Sequence, residues 1–175
     1  AYKKVAFDAK RKHYDKSSEE KRIARIHSGI SWFVCTSKAT AEIYAKAFRL
    51  PLERMLVFGS PRLDASLQCT SFPVPSTYTI LYAPTYRTKD KRTRCIPIPP
   101  DGETLRTALI SRLGENVQLV FRGHPTTPLP EDLRGWTDWS HIPQHEALCR
   151  ASVLITDYSS IFFDFLPFKR PIIFY

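Results

Sequence analysis

Val153-Leu154-Ile155-Thr156-Asp157-Tyr158-Ser159-Ser160-Ile161-Phe162-Phe163-Asp164-Phe165 is the stretch whose reading decides the fold. Val153–Thr156 is an unbroken apolar and β-branched run. It predicts a strand buried on both faces, as in a parallel sheet. A polar turn with two serines follows. Ile161, Phe162, Phe165 and Leu166 then recur on one face at helical spacing, which predicts a helix opened by Ser159 or Ser160.

The same alternation extends outward. Ile80–Ala83, Val117–Phe121 and Ile172–Phe174 read as further strands. Leu105, Leu109 and Leu113 mark a helix that Gly114 closes, and a short helix is expected around His145–Arg150. Nearer the start, Ser17 or Ser18 caps a helix through Glu19–Ile26. Trp32–Thr36 reads as a buried strand. Lys38–Phe48 reads as a helix with Ala41, Tyr44, Ala45 and Phe48 on one stripe, stopped by Pro51. Met55–Phe58 is a strand ended by Gly59-Ser60-Pro61. Residues 66–77, rich in Ser, Thr and Pro, read as a linker. Strands separated by helices give an α/β fold with a Rossmann-like, doubly wound parallel sheet.

Composition narrows the chemistry. The 175 residues are 43% hydrophobic and 13% aromatic, which excludes wholesale disorder. The 26 Lys and Arg exceed the 17 Asp and Glu by nine, an excess that favours an anionic partner. Neither a GxGxxG nor a GxxxxGK[ST] loop is present, which argues against NAD enzymes and P-loop NTPases. No helix-turn-helix, RRM or zinc-finger pattern supports nucleic-acid binding, and no nucleic-acid partner is expected. Cys35, Cys69, Cys95 and Cys149 form no CxxC pair, so free, mostly buried thiols in a reducing compartment are the expectation, with no metal site. His141 and His145 are separated by Pro143 and make a poor helical metal pair. No apolar run approaches ~20 residues, so no membrane span is expected. A start without Met and an apolar end at Pro171–Tyr175 suggest a piece of a longer protein.

Ligands of such sheets bind beyond the carboxyl ends of the strands. Those ends carry Pro84-Thr85-Tyr86-Arg87, Arg122-Gly123-His124-Pro125 and Asp157-Tyr158-Ser159-Ser160. The candidate binding residues are therefore Thr85, Arg87, Arg122, Asp157, Ser159 and Ser160, with His124 as the catalytic candidate. Two readings of the serine pair stay open: an anion site at a helix start, or simple capping by Ser159. His124 reads as a general base, a phosphate hydrogen-bond donor or an exposed loop histidine. His13 and His27 carry no signal beyond ordinary structure. The bases among Arg87-Thr88-Lys89-Asp90-Lys91-Arg92-Thr93-Arg94 suit electrostatic steering or a solvated loop. Phe162, Phe163, Phe165 and Phe168 read as core, and Asp164 among them either pairs with a base or anchors the site from behind.

The ordered segments Gly59-Ser60-Pro61-Arg62-Leu63-Asp64, Leu81-Tyr82-Ala83-Pro84-Thr85-Tyr86-Arg87, Arg122-Gly123-His124-Pro125, Ile155–Phe165 and Arg170–Tyr175 together resemble the CDP-glycerol glycerophosphotransferase family of teichoic-acid and capsule polymer synthesis. The resemblance covers residues 32–175. It implies a GT-B-type glycosyltransferase architecture of two Rossmann-like lobes. Residues 1–65 would end the first, acceptor-side lobe. Residues 66–77 would link it to a nucleotide-donor lobe at 78–175, truncated at its C-terminus. The implied reaction transfers glycerol phosphate from CDP-glycerol to a hydroxyl of a growing polymer, releasing CMP. CDP-ribitol, another nucleotide-sugar donor, or a non-enzymatic basic nucleotide- or nucleic-acid-binding module are the alternatives.

By position, His124 matches the family's second-lobe histidine, and Ser159 and Ser160 match serines that hold the donor phosphates. Arg87 and Arg122 join them on charge and placement. The implied partners are a CDP-alditol, an anionic polymer acceptor and an anionic membrane surface, at the cytoplasmic face of the membrane. No cofactor is implied. The family's first-lobe His-Gly segment has no counterpart here, and neither His13 nor His27 fits it, so the isolated chain is expected to be inactive.

Overall fold

The structure, a computed structural model, describes residues 16–69, 76–88, 94, 95, 97, 99–114, 116–124 and 130–175. The chain divides into two compact units, Ala1–Pro61 and Arg62–Tyr175.

The first described element of the first unit is α1 (Lys16–His27). Ser17 and Ser18 lie inside its first turn rather than ahead of it, which corrects the capping expectation. β1 (Phe33–Cys35) pairs in parallel with β2 (Met55–Val57), matching Phe33 with Met55 and Cys35 with Val57. The strand expected to be buried is largely open: Trp32 is 61% and Val34 46% exposed, and only Cys35 is buried. Between them runs α2 (Lys38–Phe48), where Ser37 accepts a hydrogen bond from the Thr40 amide. This helix ends before Pro51, because Arg49 turns into the left-handed region at φ 53° and donates to the carbonyls of Ala45 and Lys46. The small core joins Cys35, Ala41, Phe48, Leu50 and Met55.

The second unit opens on α3 (Pro61–Cys69), whose first residue closes the first unit. Residues 66–69, read above as the start of a linker, form the last part of this helix, and residues 70–75 lie outside the described set. The sheet strands are β3 (Tyr78–Tyr82), β6 (Val117–Phe121), β7 (Thr137–Asp138), β8 (Val153–Thr156) and β9 (Ile172–Phe174). Their spatial order is β7-β6-β3-β8-β9, every pairing parallel. A separate antiparallel pair, β4 (Arg87–Thr88) and β5 (Arg94–Cys95), lies within the stretch read as a basic loop. Lys89, Lys91 and Arg92, the bases invoked for steering, lie outside the described residues.

Alternation of side chains splits the core into two layers. Ile80, Tyr82, Leu119 and Phe121 face α4 (Gly102–Leu113), with Leu105 and Leu109 packed against them. Leu113 is 49% exposed and falls off that stripe. Leu81, Val120 and Leu154 face α5 (Gln144–Arg150) and α6 (Ile161–Phe165), burying Ala147, Leu148, Ile161 and Phe165. Phe163 and Leu166, expected in this layer, are 58% and 53% exposed. The α-helix gives way at Leu166 to a 3₁₀ turn (Leu166–Phe168), whose three residues per turn move Leu166 off the buried face.

Cys69, closing α3, is disulfide-bonded to Cys149 of α5. This overturns the free-thiol expectation for that pair. The two are 80 residues apart with no local spacing signal, and only the fold brings their Cα atoms to 5.7 Å. Cys35 remains a free, buried thiol. A crosslink closing so long a loop restricts the unfolded chain. Reduction by dithiothreitol, or Cys149→Ser, is therefore expected to lower unfolding stability by about 2–4 kcal/mol in urea titrations. An unchanged midpoint would refute that contribution.

Candidate functional site

The strand order fixes where a ligand site can form. From β3 the chain moves through α4 to β6 and β7, and it then returns to β8 and continues through α6 to β9. The connections leaving β3 and β8 thus run in opposite directions, which opens a crevice at the carboxyl ends of these two neighbours. Thr85 follows β3 and Asp157 follows β8, and they meet there.

Asp157 is the hub of the crevice, its side chain only 6% exposed. Its Oδ1 accepts from the Thr85 hydroxyl at 2.7 Å and from the Ser159 amide at 3.0 Å, and the Thr85 amide lies 3.1 Å from both carboxylate oxygens. Its Oδ2 pairs with the Arg87 guanidinium at 2.7 Å. Burial alone pushes this carboxyl up, but the hydrogen bonds from Thr85 and Arg87 overcome it and hold the carboxyl below its ordinary value. The bond from Ser159 makes a local Asx turn, which orients the serine pair.

Arg87 is correspondingly committed. It also donates to the Thr85 carbonyl at 2.9 Å and lies 4.8 Å from the Tyr158 ring centroid. Its hydrogen bond with Asp157 raises its already high pKa. This guanidinium is bound to its own protein, so its net charge toward a ligand is reduced.

Arg122, one strand away, stands in a different state. Its backbone amide donates to the Tyr82 carbonyl at 2.9 Å, and its Nη2 reaches the Ile142 carbonyl at 3.3 Å. Among the described residues its buried Nε has no hydrogen-bond partner and its guanidinium forms no ion pair. Burial pushes its pKa down, with Asp138 opposing. The Arg122–His124 loop is pinned where the Gly123 amide donates to Ser140 Oγ at 2.9 Å, and Ser140 is fixed in turn by Asp138. His124 is exposed, its ring 5.2 Å from that of Tyr86 in an edge-on arrangement. Pro125 lies outside the described residues, as does His13.

The serine pair divides. Ser159 Oγ accepts from the Ile161 amide at 3.4 Å, a weak local cap. Ser160 is exposed and makes no capping side-chain bond. The helix they open has five residues, so its dipole is small, and any anion here would be held chiefly by individual donors.

Thr85, Arg87, Asp157 and Ser159 therefore form one bonded network. His124 joins the same loop cluster through Tyr86, and Arg122 turns aside toward Ile142. Tyr82 escaped the sequence reading. It is 1% exposed, its hydroxyl has no hydrogen-bond partner among the described residues, and burial, helped by Tyr175 and Asp157, pushes its pKa up to about 12. The only sequence signal was a phenol at the carboxyl end of an otherwise apolar strand. Asp164 resolves as the partner of a base: it pairs with Arg62 and accepts from Gln144 Nε2 at 2.7 Å. His141 and His145 are exposed, and His27 is buried with Nδ1 at 2.5 Å from the Phe48 carbonyl oxygen.

The family model described as CDP-glycerol:poly(glycerophosphate) glycerophosphotransferase matches residues 1–175. The teichoic acid glycerol-phosphate primase of Bacillus subtilis (strain 168) is 30% identical over 165 residues, spanning 89% of this chain and 42% of its own. The teichoic acid ribitol-phosphate primase of Bacillus spizizenii is 25% identical over 190 residues, spanning 100% and 48%. A histidine-to-asparagine variant of the wall teichoic acid polymerase TagF superposes with a TM-score of 0.62 at 24% identity, over 95% of this chain and 44% of that one. This chain thus spans less than half the length of the relatives it matches. No described helix is long and apolar enough to cross a membrane.

Proposed function

This chain belongs to the CDP-glycerol:poly(glycerophosphate) glycerophosphotransferase family, and from that membership we propose that its second unit holds the CDP-activated donor of a transferase that builds a teichoic-acid-type polymer. Glycerol phosphate passes from CDP-glycerol to a polymer hydroxyl. The hydroxyl oxygen bonds to the glycerol-bearing phosphorus and gives up its proton to water, the bond from that phosphorus to CMP breaks, and CMP leaves with the electron pair. Residues 1–61 end the acceptor-side lobe, and residues 62–175 supply the donor lobe.

The observation that carries this reading is Arg122. A half-buried guanidinium with an orphan Nε and, among the described residues, no direct ion pair is costly unless an anion completes it, and a diphosphate supplies both charge and acceptors. Ser160 and the Ser159 turn, beyond the carboxyl end of β8, bind phosphate oxygens of the same donor. His124 donates a hydrogen bond to the departing CMP. Asp157 acts on the scaffold rather than on the donor, because its oxygens are already taken by Thr85, Arg87 and Ser159. Catalysis of this kind is mostly positioning and charge stabilisation. The net charge of +9 favours an anionic acceptor and peripheral attachment to an anionic membrane surface.

Full coverage of this chain by the ribitol-phosphate primase keeps CDP-ribitol as a second donor reading. Calorimetric titration of the protein from the complete reading frame with CDP-glycerol, CDP-ribitol and UDP-glucose tests both. Saturable binding of a CDP-alditol, absent with UDP-glucose, is the expected result. Equal binding of UDP-glucose, or none of the three by folded protein, would overturn the reading.

A further inference from the structure

The serine turn is followed by a helix too short to fix its own direction. α6 has five residues and only the weak Ser159 cap at its start, and so few backbone bonds define an axis poorly without tertiary support. Ile161 and Phe165 anchor it in the apolar layer. Asp164 anchors it differently. The residue is 7% exposed, and its Oδ2 meets both the Arg62 guanidinium from the first turn of α3 and Gln144 Nε2 from the first residue of α5. One carboxylate therefore ties together three helices. The Cys69–Cys149 disulfide ties the far ends of α3 and α5, so α3 lies alongside α5 and is fastened at both ends.

We propose that Arg62 is a positioning residue for the donor site, acting through Asp164 to hold α6, and with it the Ser159–Ser160 turn, in binding geometry. The inference rests on the donor-site reading given above. The asymmetry of the pair makes it testable. Arg62 is 65% exposed while Asp164 is 11% exposed at the side chain. A mostly solvated arginine contributes little to folding, so its removal perturbs the anchor without emptying the core. A lysine at the same place keeps the charge that faces Asp164.

The experiment uses the protein from the complete reading frame, with KM and kcat for CDP-glycerol and a thermal melt measured together. Wild-type protein that neither binds nor turns over CDP-glycerol removes the donor-site reading itself, a failure separate from that of the Arg62 variants. Given a working wild type, Arg62→Ala is expected to raise KM for the donor about tenfold, because small misplacements of binding groups are costly. Its kcat should stay within about twofold, as for loss of uniform binding, and its Tm within about 2 °C. Arg62→Lys should recover most of the lost affinity. Asp164→Asn should match Arg62→Ala, and the double variant should be no worse than either single one, since both remove the same contact. An unchanged KM in Arg62→Ala, a raised KM that lysine does not rescue, or additive losses in the double variant would each overturn the proposal.

Discussion

Asp157→Ala is expected to abolish donor turnover and to destabilise the sheet-bearing unit by about 3–5 kcal/mol, the cost of removing one partner from a buried ionic cluster. The loss is large because several donors converge on this carboxylate. Without it, the Thr85 amide and hydroxyl, the Ser159 amide and the Arg87 guanidinium lose their shared acceptor in the crevice between β3 and β8. Asp157→Asn keeps the volume but loses the charge, and its amide turns a donor toward other donors, so it should behave nearly as badly. The pH dependence separates this ionic role from mere packing. The folded-state carboxyl is held below its ordinary value. Its contribution is therefore fully present above the unfolded pKa of about 3.9 and is lost as pH falls through the lower folded value. Urea melts of wild type and Asp157→Asn should stay apart from neutral pH down to about 4 and converge only below it. A gap that closes between pH 7 and 5 would assign the destabilisation to another group.

The sheet was readable because its signals are local. Val117–Phe121, Val153–Thr156 and Ile172–Phe174 are apolar runs bounded by polar turns, and each strand has those bounds. Lys38–Phe48 carries its stripe and its Ser37 cap in the sequence itself. What escaped is held by distant partners. Pro61–Cys69 contains a proline and two small polar side chains, and its docking comes from Asp164 and Cys149, which lie 102 and 80 residues away. The gathering of Thr85, His124 and Asp157 at one edge followed from topology, since parallel strands present their carboxyl ends together. The division of labour did not follow. Two arginines in the segments that follow neighbouring strands look alike in sequence, yet Arg87 is paired with Asp157 and Arg122 forms no ion pair among the described residues. Only the pairing geometry distinguishes scaffold from binder.

That distinction gives Arg122 an effect opposite in kind to that of Asp157. Arg122→Ala is expected to weaken CDP-glycerol binding about a hundredfold or more, the scale for truncating one side of a desolvated charge pair. Folding stability should stay within about 1 kcal/mol of wild type. The apolar stem of the arginine is lost, which costs packing. A half-buried cation with an unsatisfied Nε is lost as well, and that relieves a penalty of similar size. Arg122→Lys restores charge without the planar fork and should regain only part of the affinity. Calorimetry at two ionic strengths, alongside thermal melts, checks all three. The salt dependence of binding should be shallower in Arg122→Ala, because one phosphate-facing charge is gone. If instead Arg122→Ala melts several degrees lower and binds the donor as wild type does, the guanidinium serves the fold and the diphosphate lies elsewhere. A residue that binds ligand leaves the empty protein no worse when it is removed, whereas one that builds the site takes the fold down with it. Asp157 and Arg122 directly follow β8 and β6, the strands flanking β3, so the two variants report on the same sheet edge from opposite sides of that test.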